Sequence, residues 1–476
     1  MGAKKVKTVY EKLGVDSIGS LEYACKENRL RDLPGFGQKT QDNLLKSIQL
    51  KKKYDEQYHY PPAKRIAEQV LEYLHKAPGI IDLEIAGSLR RKKEIIHDID
   101  IVGSAKKQDQ QTIMDYFVNY PDNKQSLAHG KTKTTIVMKH GIHCDLRLVE
   151  TDQFPFLLHH STGSKEHNTA MRQLAKDKNC RMNEYGIFKG NNDKSEKCAD
   201  EHEIYSFFSL QYIPPELREN MGEIEAAGRH ELPNLVQENQ IKGVFHAHSV
   251  WSDGSNSIRE LAEKCRSLGF EYLGITDHSK SAFYANGLDE ERIKKQHEEI
   301  EKLNEEFTDF TIFIGIESDI LTSGKLDYDD DVLESFDFVI ASVHSAFNLS
   351  QKEMTKRICS ALKHPCTTML GHPSGRLLLG REAYQVDMEA IIECAVQNNV
   401  IIEINANPHR LDMDWHWGRL AEKHQLITSI NPDAHSIDGI EDFRYGVGIA
   451  RKGWFTADRV LNTRSCDAVT SFFKLK

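Results

Sequence analysis

From about Val244 onward, short apolar runs alternate with stretches of helical spacing. The runs are GVFHAH, YLGIT, TIFIGIE, FVIASVH, TMLGH, VIIEINAN and ITSI, and one helical stretch opens with the capping pair Ser257 and Glu260. Such alternation predicts a parallel α/β sheet or barrel. Near the start, RDLPGFGQKTQDNLLKSIQ (residues 31–49) breaks at Pro34, Gly35 and Gly37 and resumes apolar spacing at Leu44, Leu45 and Ile48. That pattern predicts helix, glycine hairpin, helix. Between Pro61 and about Leu210, helical spacing mixes with strand alternation, as in KTTIVMKHGIHCDLRLV at residues 133–149. Residues 212–236 carry prolines and charge with little periodicity, and they read as a linker.

Composition narrows the class. A chain of 476 residues exceeds one ordinary core and implies two or three domains. With 39% hydrophobic and 28% charged residues it has the balance of a soluble globular protein. No run approaches the roughly 20 apolar residues needed to span a bilayer. The start, MGAKKVKTVYEKLG, is basic without an apolar core, which excludes a secretory signal and leads us to expect a cytoplasmic protein. Nine scattered cysteines with no CxxC pair fit a reducing compartment and exclude a zinc ribbon or a disulfide framework. The net charge of -10 is unevenly spread: residues 1–200 hold 34 Lys and Arg against 27 Asp and Glu, the remainder 28 against 45. A basic half joined to an acidic half is compatible with phosphate binding at one end and metal binding at the other.

The acidic half ends its apolar runs in a consistent way. In VFHAHSVWSDG, His246 and His248 stand at i and i+2, the spacing that aims both rings to one face of a strand, and Asp253 follows. YLGITDH ends in Asp277 and His278, TIFIGIE in Glu317, FVIASVH in His344, TMLGH in His372, and ITSINPDAH in Asp433 and His435. In a barrel of parallel strands these ends converge on one rim. A single strand-end histidine is usually structural; six of them joined by three acids point to metal. His246, His248, Asp253, His278, Glu317, His344, His372, Asp433 and His435 exceed the four to six donors of one ion. Two or three ions sharing carboxylates are therefore expected, and imidazole mixed with carboxylate suits Zn, Mn or Fe rather than Mg or Ca. Ions about 3.5 to 4 Å apart activate water and stabilise both oxygens of a phosphate ester, so phosphoester hydrolysis is the expected reaction class.

The basic half offers different chemistry. Gly35 and Gly37 let the backbone turn and present amide N–H groups, with Lys39 at the following helix N-terminus, so a DNA phosphate could dock there; a plain αα-turn is the alternative. In EIAGSLRRKKEIIHDIDIVG (residues 84–103), a strand ends at Gly87 and Ser88, turns through Arg90 and Arg91, and re-enters a strand with Asp98 and Asp100 on one face. Asp145, on a neighbouring expected strand, supplies a third hard oxygen donor for Mg²⁺. Three aspartates, with Ser88 and Arg91 near a triphosphate, make a candidate nucleotidyl-transfer site.

Two resemblances follow from these stretches. HAHSVWSDG, ITDHS, GIESDI, ASVHS, GHPSGR and INPDAHS resemble the motifs of the polymerase and histidinol phosphatase (PHP) domain, over roughly residues 241–476. The resemblance implies a distorted seven-stranded (β/α) barrel with a trinuclear site whose nine ligand positions are all filled. Arg376 and Arg410 add cations that could hold a substrate phosphate or make structural salt bridges. The first half resembles the family X DNA polymerases, with the fit continuing through Thr162-Gly163-Ser164-Lys165-Glu166-His167-Asn168. By that resemblance Asp98, Asp100 and Asp145 carry Mg²⁺ in the palm, while Gly87, Ser88 and Arg91 grip the phosphates. Thr162, Gly163, Ser164, Asn168 and Arg172 then face the nucleotide and template. Two departures stand out. His160 and Ser161 occupy the places of the family's usual Tyr-Phe pair, which bears on sugar discrimination and nucleotide affinity, and the amino-terminal lyase-like domain is missing from the match.

The whole chain thus resembles a bacterial family X DNA polymerase with a fused PHP domain. Its implied architecture is multidomain α/β: a helix-hairpin-helix region at 1–60, a nucleotidyltransferase palm at 61–150, a thumb at 151–211, a linker at 212–240 and the barrel at 241–476. The expected function is DNA repair, combining gap-filling nucleotidyl transfer with 3′–5′ exonuclease activity. The expected partners are gapped or primer–template DNA with its 3′ ends and deoxynucleoside triphosphates, with no membrane, for a monomeric protein. Two other readings stay open: a barrel hydrolysing a small phosphate ester beside a degenerate polymerase half, and a non-catalytic DNA-binding scaffold.

Overall fold

The computed structural model describes residues 3–475 except 16, 31, 32, 34, 54 and 55. The chain divides into two compact units, Met1–Tyr58 and His59–Lys476. The first contains α1 (Ala3–Leu13), α2 (Ile18–Lys26) and α3 (Gln38–Lys53) around Val9, Ala24, Cys25, Leu30 and Phe36. Ser17 caps α2 by accepting from Ser20 N at 3.1 Å. Between α2 and α3, Gly35 takes φ +81°, a left-handed conformation that suits glycine. Gly37 directly precedes α3 and Lys39 sits in its first turn, so the glycine turn stands between two helices. Arg31 and Pro34 of that stretch lie outside the described residues.

In the second unit, α4 (Tyr60–Leu74) leads into five strands: β1 (Ile80–Ile85), β2 (Asp98–Ala105), β3 (Asn123–His129), β4 (Lys133–Met138) and β5 (His143–Val149). Their order is β1-β2-β5-β4-β3, with β2 and β5 parallel and the other neighbours antiparallel. Ile99, Ile101, Cys144, Leu146 and Leu148 are buried, and the alternate positions of the same strands carry Asp98, Asp100 and Asp145. Helices α5 (Phe154–Thr162) and α6 (Lys165–Asp177) follow. The segment expected as a linker contains a helix, Glu223–Arg229, and its Ala226, Ala227 and Leu235 join the core that holds Met171 and Tyr205.

Seven strands then run parallel in chain order: β6 (Gly243–Val244), β7 (Tyr272–Ile275), β8 (Thr311–Asp319), β9 (Phe338–Ser342), β10 (Thr367–Leu370), β11 (Ile401–Asn405) and β12 (Thr428–Asn431). A parallel bridge between Ala247 and Ala434, with His248 N donating to Ala434 O at 2.8 Å, draws the first and last strands together into a nearly closed barrel. The expected (β/α)7 barrel is therefore the observed fold. Its helices include α7 (Ile258–Ser267), opened by the reciprocal Ser257–Glu260 cap, α8 (Phe443–Lys452) and α9 (Cys466–Lys474). Phe245, Tyr272, Phe313, Phe338, Ile340, Met369 and Ile401 pack together with Phe473 of α9. Strands that are not neighbours can share such a cluster only inside the barrel. The period-two alternation then carries the inward face from Phe313 to Glu317, and from Phe338 to His344, at the C-terminal rim.

Among the described residues no helix is long and apolar enough to cross a membrane. The nine cysteines form no disulfide.

Candidate metal centre and nucleotidyl-transfer site

Glu317, buried at the end of β8, is the hub of the rim. Its Oε1 lies 3.5 Å from His246 Nε2, 3.2 Å from His344 Nε2 and 3.0 Å from His372 Nε2. Its Oε2 lies 3.6 Å from His248 Nε2 and 2.9 Å from His278 Nδ1. Asp433 stands opposite, with Oδ1 3.5 Å from His246 Nε2 and 3.2 Å from His248 Nε2. Asp253 completes the third side, 3.7 Å from His278 Nε2 and 3.4 Å from His435 Nε2. All nine sequence-predicted side chains meet in one place.

The donor set fits divalent cations. Three groups of these rim residues have donor atoms within 4.8 Å of one another: His248, Asp253, His278 and His435; His246, His248 and Asp433; His278, Glu317 and His344. Nε2 of His246, both ring nitrogens of His248 and Glu317 Oε2 are buried without a hydrogen-bond partner, an arrangement too costly to keep unless something else satisfies them. Burial, with His278 and His435 alongside, pushes His248 down to about 3, which leaves a neutral imidazole with a lone pair to offer. Burial alone would raise Glu317, but His344, His246 and His278 outweigh it and hold the carboxyl well below its usual range.

In the first half, β2 and β5 pair in register so that Asp100 stands directly beside Asp145, with Asp98 on the same face. Burial and the neighbouring Asp98 and Asp145 raise Asp100 to about 7. Thr135 Oγ1 donates to Asp145 Oδ1 at 2.6 Å, and Lys133 Nζ lies 2.7 Å from Oδ2. Gly87 has φ +60° and opens the helical turn Gly87–Arg90; a Cβ there would fall 2.1 Å from Asp100 Oδ2, so only glycine lets the turn approach. Ser88 Oγ is buried with no hydrogen-bond partner. Arg91 donates to Thr162 O and, at 3.0 Å, to Glu219 Oε1. Gly163 is close enough that a Cβ would meet Arg91 Nη1 at 2.9 Å. Beyond it Ser164 caps α6 by accepting from His167 N at 3.1 Å, Asn168 donates to His160 O at 2.7 Å, and Arg172 Nε donates to Asn168 O at 3.2 Å. The structure thus brings Arg90 and Arg91 to Thr162 and Gly163, and Gly87 to Asp100.

Comparison with known proteins agrees with this division. The DNA polymerase beta thumb family matches residues 157–219 and the PHP domain family matches residues 245–407. A relative from Bacillus subtilis, DNA polymerase/3′-5′ exonuclease PolX, is 40% identical over 476 residues, covering 100% of this chain and 83% of its own length. The chain belongs to the PolX family. A probable phosphatase from Caldicellulosiruptor saccharolyticus is 28% identical over 170 residues, covering 34% of this chain and 64% of that protein. A structure of Leishmania infantum polymerase beta in a ternary P/T complex is 20% identical, with TM-score 0.32, over 46% of this chain and 94% of that one.

Several residues of this PolX-family chain escaped the sequence reading. Glu403, fully buried on β11, holds His246 Nδ1 at 2.7 Å and accepts from Asn431 Nδ2 at 3.0 Å, Asn405 Nδ2 at 2.9 Å and His372 N at 3.1 Å. It thereby fixes which nitrogen of His246 faces the centre. Asp319 does the same for His344 Nδ1 and accepts from Ser281 Oγ at 2.8 Å. Asp277, named from the sequence as a strand end but given no role there, accepts from Ser249 N at 2.8 Å and Ser252 N at 3.1 Å, setting the loop that carries Asp253. A carboxylate inside the apolar run VIIEINAN was the signal for Glu403. Of the two candidate arginines, Arg410 faces Asp433 Oδ2 at 3.3 Å, whereas Arg376 is engaged by Asp414 at 2.5 Å and Glu94 at 3.4 Å and acts as a structural tie.

Two further clusters brace the candidate nucleotidyl-transfer site. Glu201 accepts from Arg90 Nη2 at 2.6 Å and from Arg218 Nη1 at 2.5 Å. Lys452, the last residue of α8, is wholly buried; its Nζ donates to Glu219 Oε1 at 2.7 Å and to Arg91 O at 3.0 Å.

Proposed function

We propose that this chain is a DNA repair enzyme with two chemistries: template-directed, gap-filling nucleotidyl transfer in its first half and 3′–5′ phosphodiester hydrolysis in the barrel. The observation that carries the reading is the convergence of nine histidine and carboxylate side chains at the barrel rim of a PolX-family chain. Asp98, Asp100 and Asp145 hold Mg²⁺, and the nine rim residues hold two or three Mn²⁺, Zn²⁺ or Fe ions. Bound cations activate water in the barrel and neutralise charge on the attacking and leaving oxygens in both sites.

The protein's own groups do the rest. Glu403 and Asp319 keep the Nδ1 protons of His246 and His344 turned away from the centre. Arg410, with Nη1 buried and unpartnered, offers an N–H to a phosphate oxygen. In the first half, Ser88 and Arg91 take the triphosphate, while Thr162, Gly163, Ser164, Asn168 and Arg172 face nucleotide and template. Gly35, Gly37 and Lys39 contact the DNA backbone. We assign 1–60 to the helix-hairpin-helix region, 61–150 to the palm, 151–211 to the thumb and 212–240 to a packed connection between thumb and barrel, and the protein acts in the cytoplasm as a monomer on gapped or primer–template DNA and deoxynucleoside triphosphates.

The test is a labelled primer assayed for both reactions. Asp98→Ala abolishes extension and leaves degradation intact; Asp433→Ala or His344→Ala does the reverse. Degradation that survives both rim substitutions removes the barrel as the nuclease. The similarity to probable phosphatases favours a second reading, in which the barrel takes a small phosphate ester. Turnover of p-nitrophenyl phosphate far above that of single-stranded DNA selects it.

A further inference from the structure

The chain leaves β7 through Asp277 and His278, makes a closed loop, and returns to the point it left. Leu288 N donates to His278 O at 2.8 Å, Ser279 bridges Leu288, and Gly287 N donates to Ala282 O at 3.2 Å. The loop base is so tight that a Cβ on Gly287 would fall 1.9 Å from Ser279 O. A loop whose ends meet at a rim histidine has its tip fixed relative to that rim.

The tip is also tied on its underside. Asn286 Nδ2 donates to Trp251 O at 3.2 Å and Ser252 O at 3.4 Å, the backbone leading into Asp253. Arg292 donates to Asn286 O at 2.8 Å and to Trp251 O, joining the loop and the Asp253 segment from the helix behind. This anchored tip displays Phe283, 85% exposed, and Tyr284, 65% exposed, with ring centroids 6.1 Å apart. Burial and the charges of Asp319, Glu317 and Asp253 push the Tyr284 hydroxyl up to about 12, and Arg410 opposes them, so the ring stands within reach of the rim's charges. No core needs either ring.

We propose that Phe283 and Tyr284 are a stacking platform for the terminal unpaired bases of a DNA 3′ end entering the barrel centre. Every base has a π-face, so a pair of fixed aromatic rings holds single strands without reading their sequence. The rim carboxylates Asp253, Glu317 and Asp433 give a polyanion no attraction of their own, which leaves base stacking as the grip available at the edge. Arg410, beside Asp433 with its Nη1 buried and unpartnered, then meets the phosphate of the stacked nucleotide. The unpaired strand is the occupant because the rim chemistry beneath the rings cleaves phosphodiesters, and in this the inference rests on the function proposed above.

The experiment compares the wild-type full chain with Phe283→Ala/Tyr284→Ala and Phe283→Trp, in Mn²⁺, on two substrates: a single-stranded oligonucleotide and a short abasic deoxyribose phosphodiester. The abasic diester reaches the centre but has no ring to stack. The double alanine variant is expected to raise KM for the oligonucleotide about tenfold or more, with diester turnover within twofold of wild type. Phe283→Trp keeps the wild-type KM or lowers it. An oligonucleotide KM unchanged in the double variant overturns the platform while leaving the nuclease reading intact. Parallel loss on both substrates also overturns it, since the rings then shape the centre itself. A wild-type protein that hydrolyses the diester and leaves the oligonucleotide whole overturns the nuclease reading, and the platform with it.

Discussion

Glu201→Gln changes one buried carboxylate into a neutral amide of nearly the same shape. Glu201 is 4% exposed and lies between Arg90 and Arg218, the latter 0% exposed by side chain. Burial alone would raise its carboxyl, but Arg218 and Arg90 outweigh that and hold it at about 2, down from 4.5. At roughly 1.36 kcal/mol per unit, the ionised form stabilises the fold by about 3 kcal/mol at pH 7 relative to the protonated one. A glutamine stands in for the protonated form, so the variant is expected to lose about 3 kcal/mol. This agrees with the roughly 3–5 kcal/mol cost of leaving one partner of a buried pair alone. The folded carboxyl is depressed, so its contribution is complete above the unfolded pKa near 4.5 and disappears as pH falls toward 2. By pH 3 about half of it is gone. Urea unfolding of wild type and variant at pH 7 and pH 3 measures the gap. A difference under 1 kcal/mol at pH 7, or one that stays constant down to pH 3, refutes the argument.

Other outcomes follow from the same geometry. Glu403→Gln is expected to weaken cation binding at the rim about 10- to 100-fold, read by competition with a chelator, because His246 loses the carboxylate that orients it. Gly87→Ala forces Asp100 to move and is expected to cut primer extension about 100-fold while degradation continues; full extension activity would count against the close approach. Stripping divalent ions is expected to lower the urea midpoint, and restoring one at 100 times its dissociation constant returns about 2.7 kcal/mol per site. A midpoint indifferent to added Mn²⁺ would argue that the rim binds nothing.

Much of this was legible because strands repeat every two residues. Glu317 and His344 share parity with Phe313 and Phe338, so once the runs were read as strands, the apolar inward positions pointed to the rim residues. The register that sets Asp100 beside Asp145 likewise needed only two adjacent strands. Partners brought together across the fold were not legible. Glu403 lies 157 positions from His246, and Lys452 lies 233 from Glu219. Neither spacing follows from any local period. The short linker expected at 212–240 hid Arg218 and Glu219 for the same reason, since their purpose shows only when Arg90 and Arg91 arrive beside them.

Lys452 has a consequence for how such a chain can change. Because an ammonium from α8 of the barrel reaches the carboxylate that grips Arg91, the hydrolytic domain is also masonry for the synthetic one. A descendant that no longer needs to degrade DNA can shed rim ligands one by one. It cannot discard the barrel wholesale without stripping Glu219 of its buried ammonium and leaving it to Arg91 and Lys93.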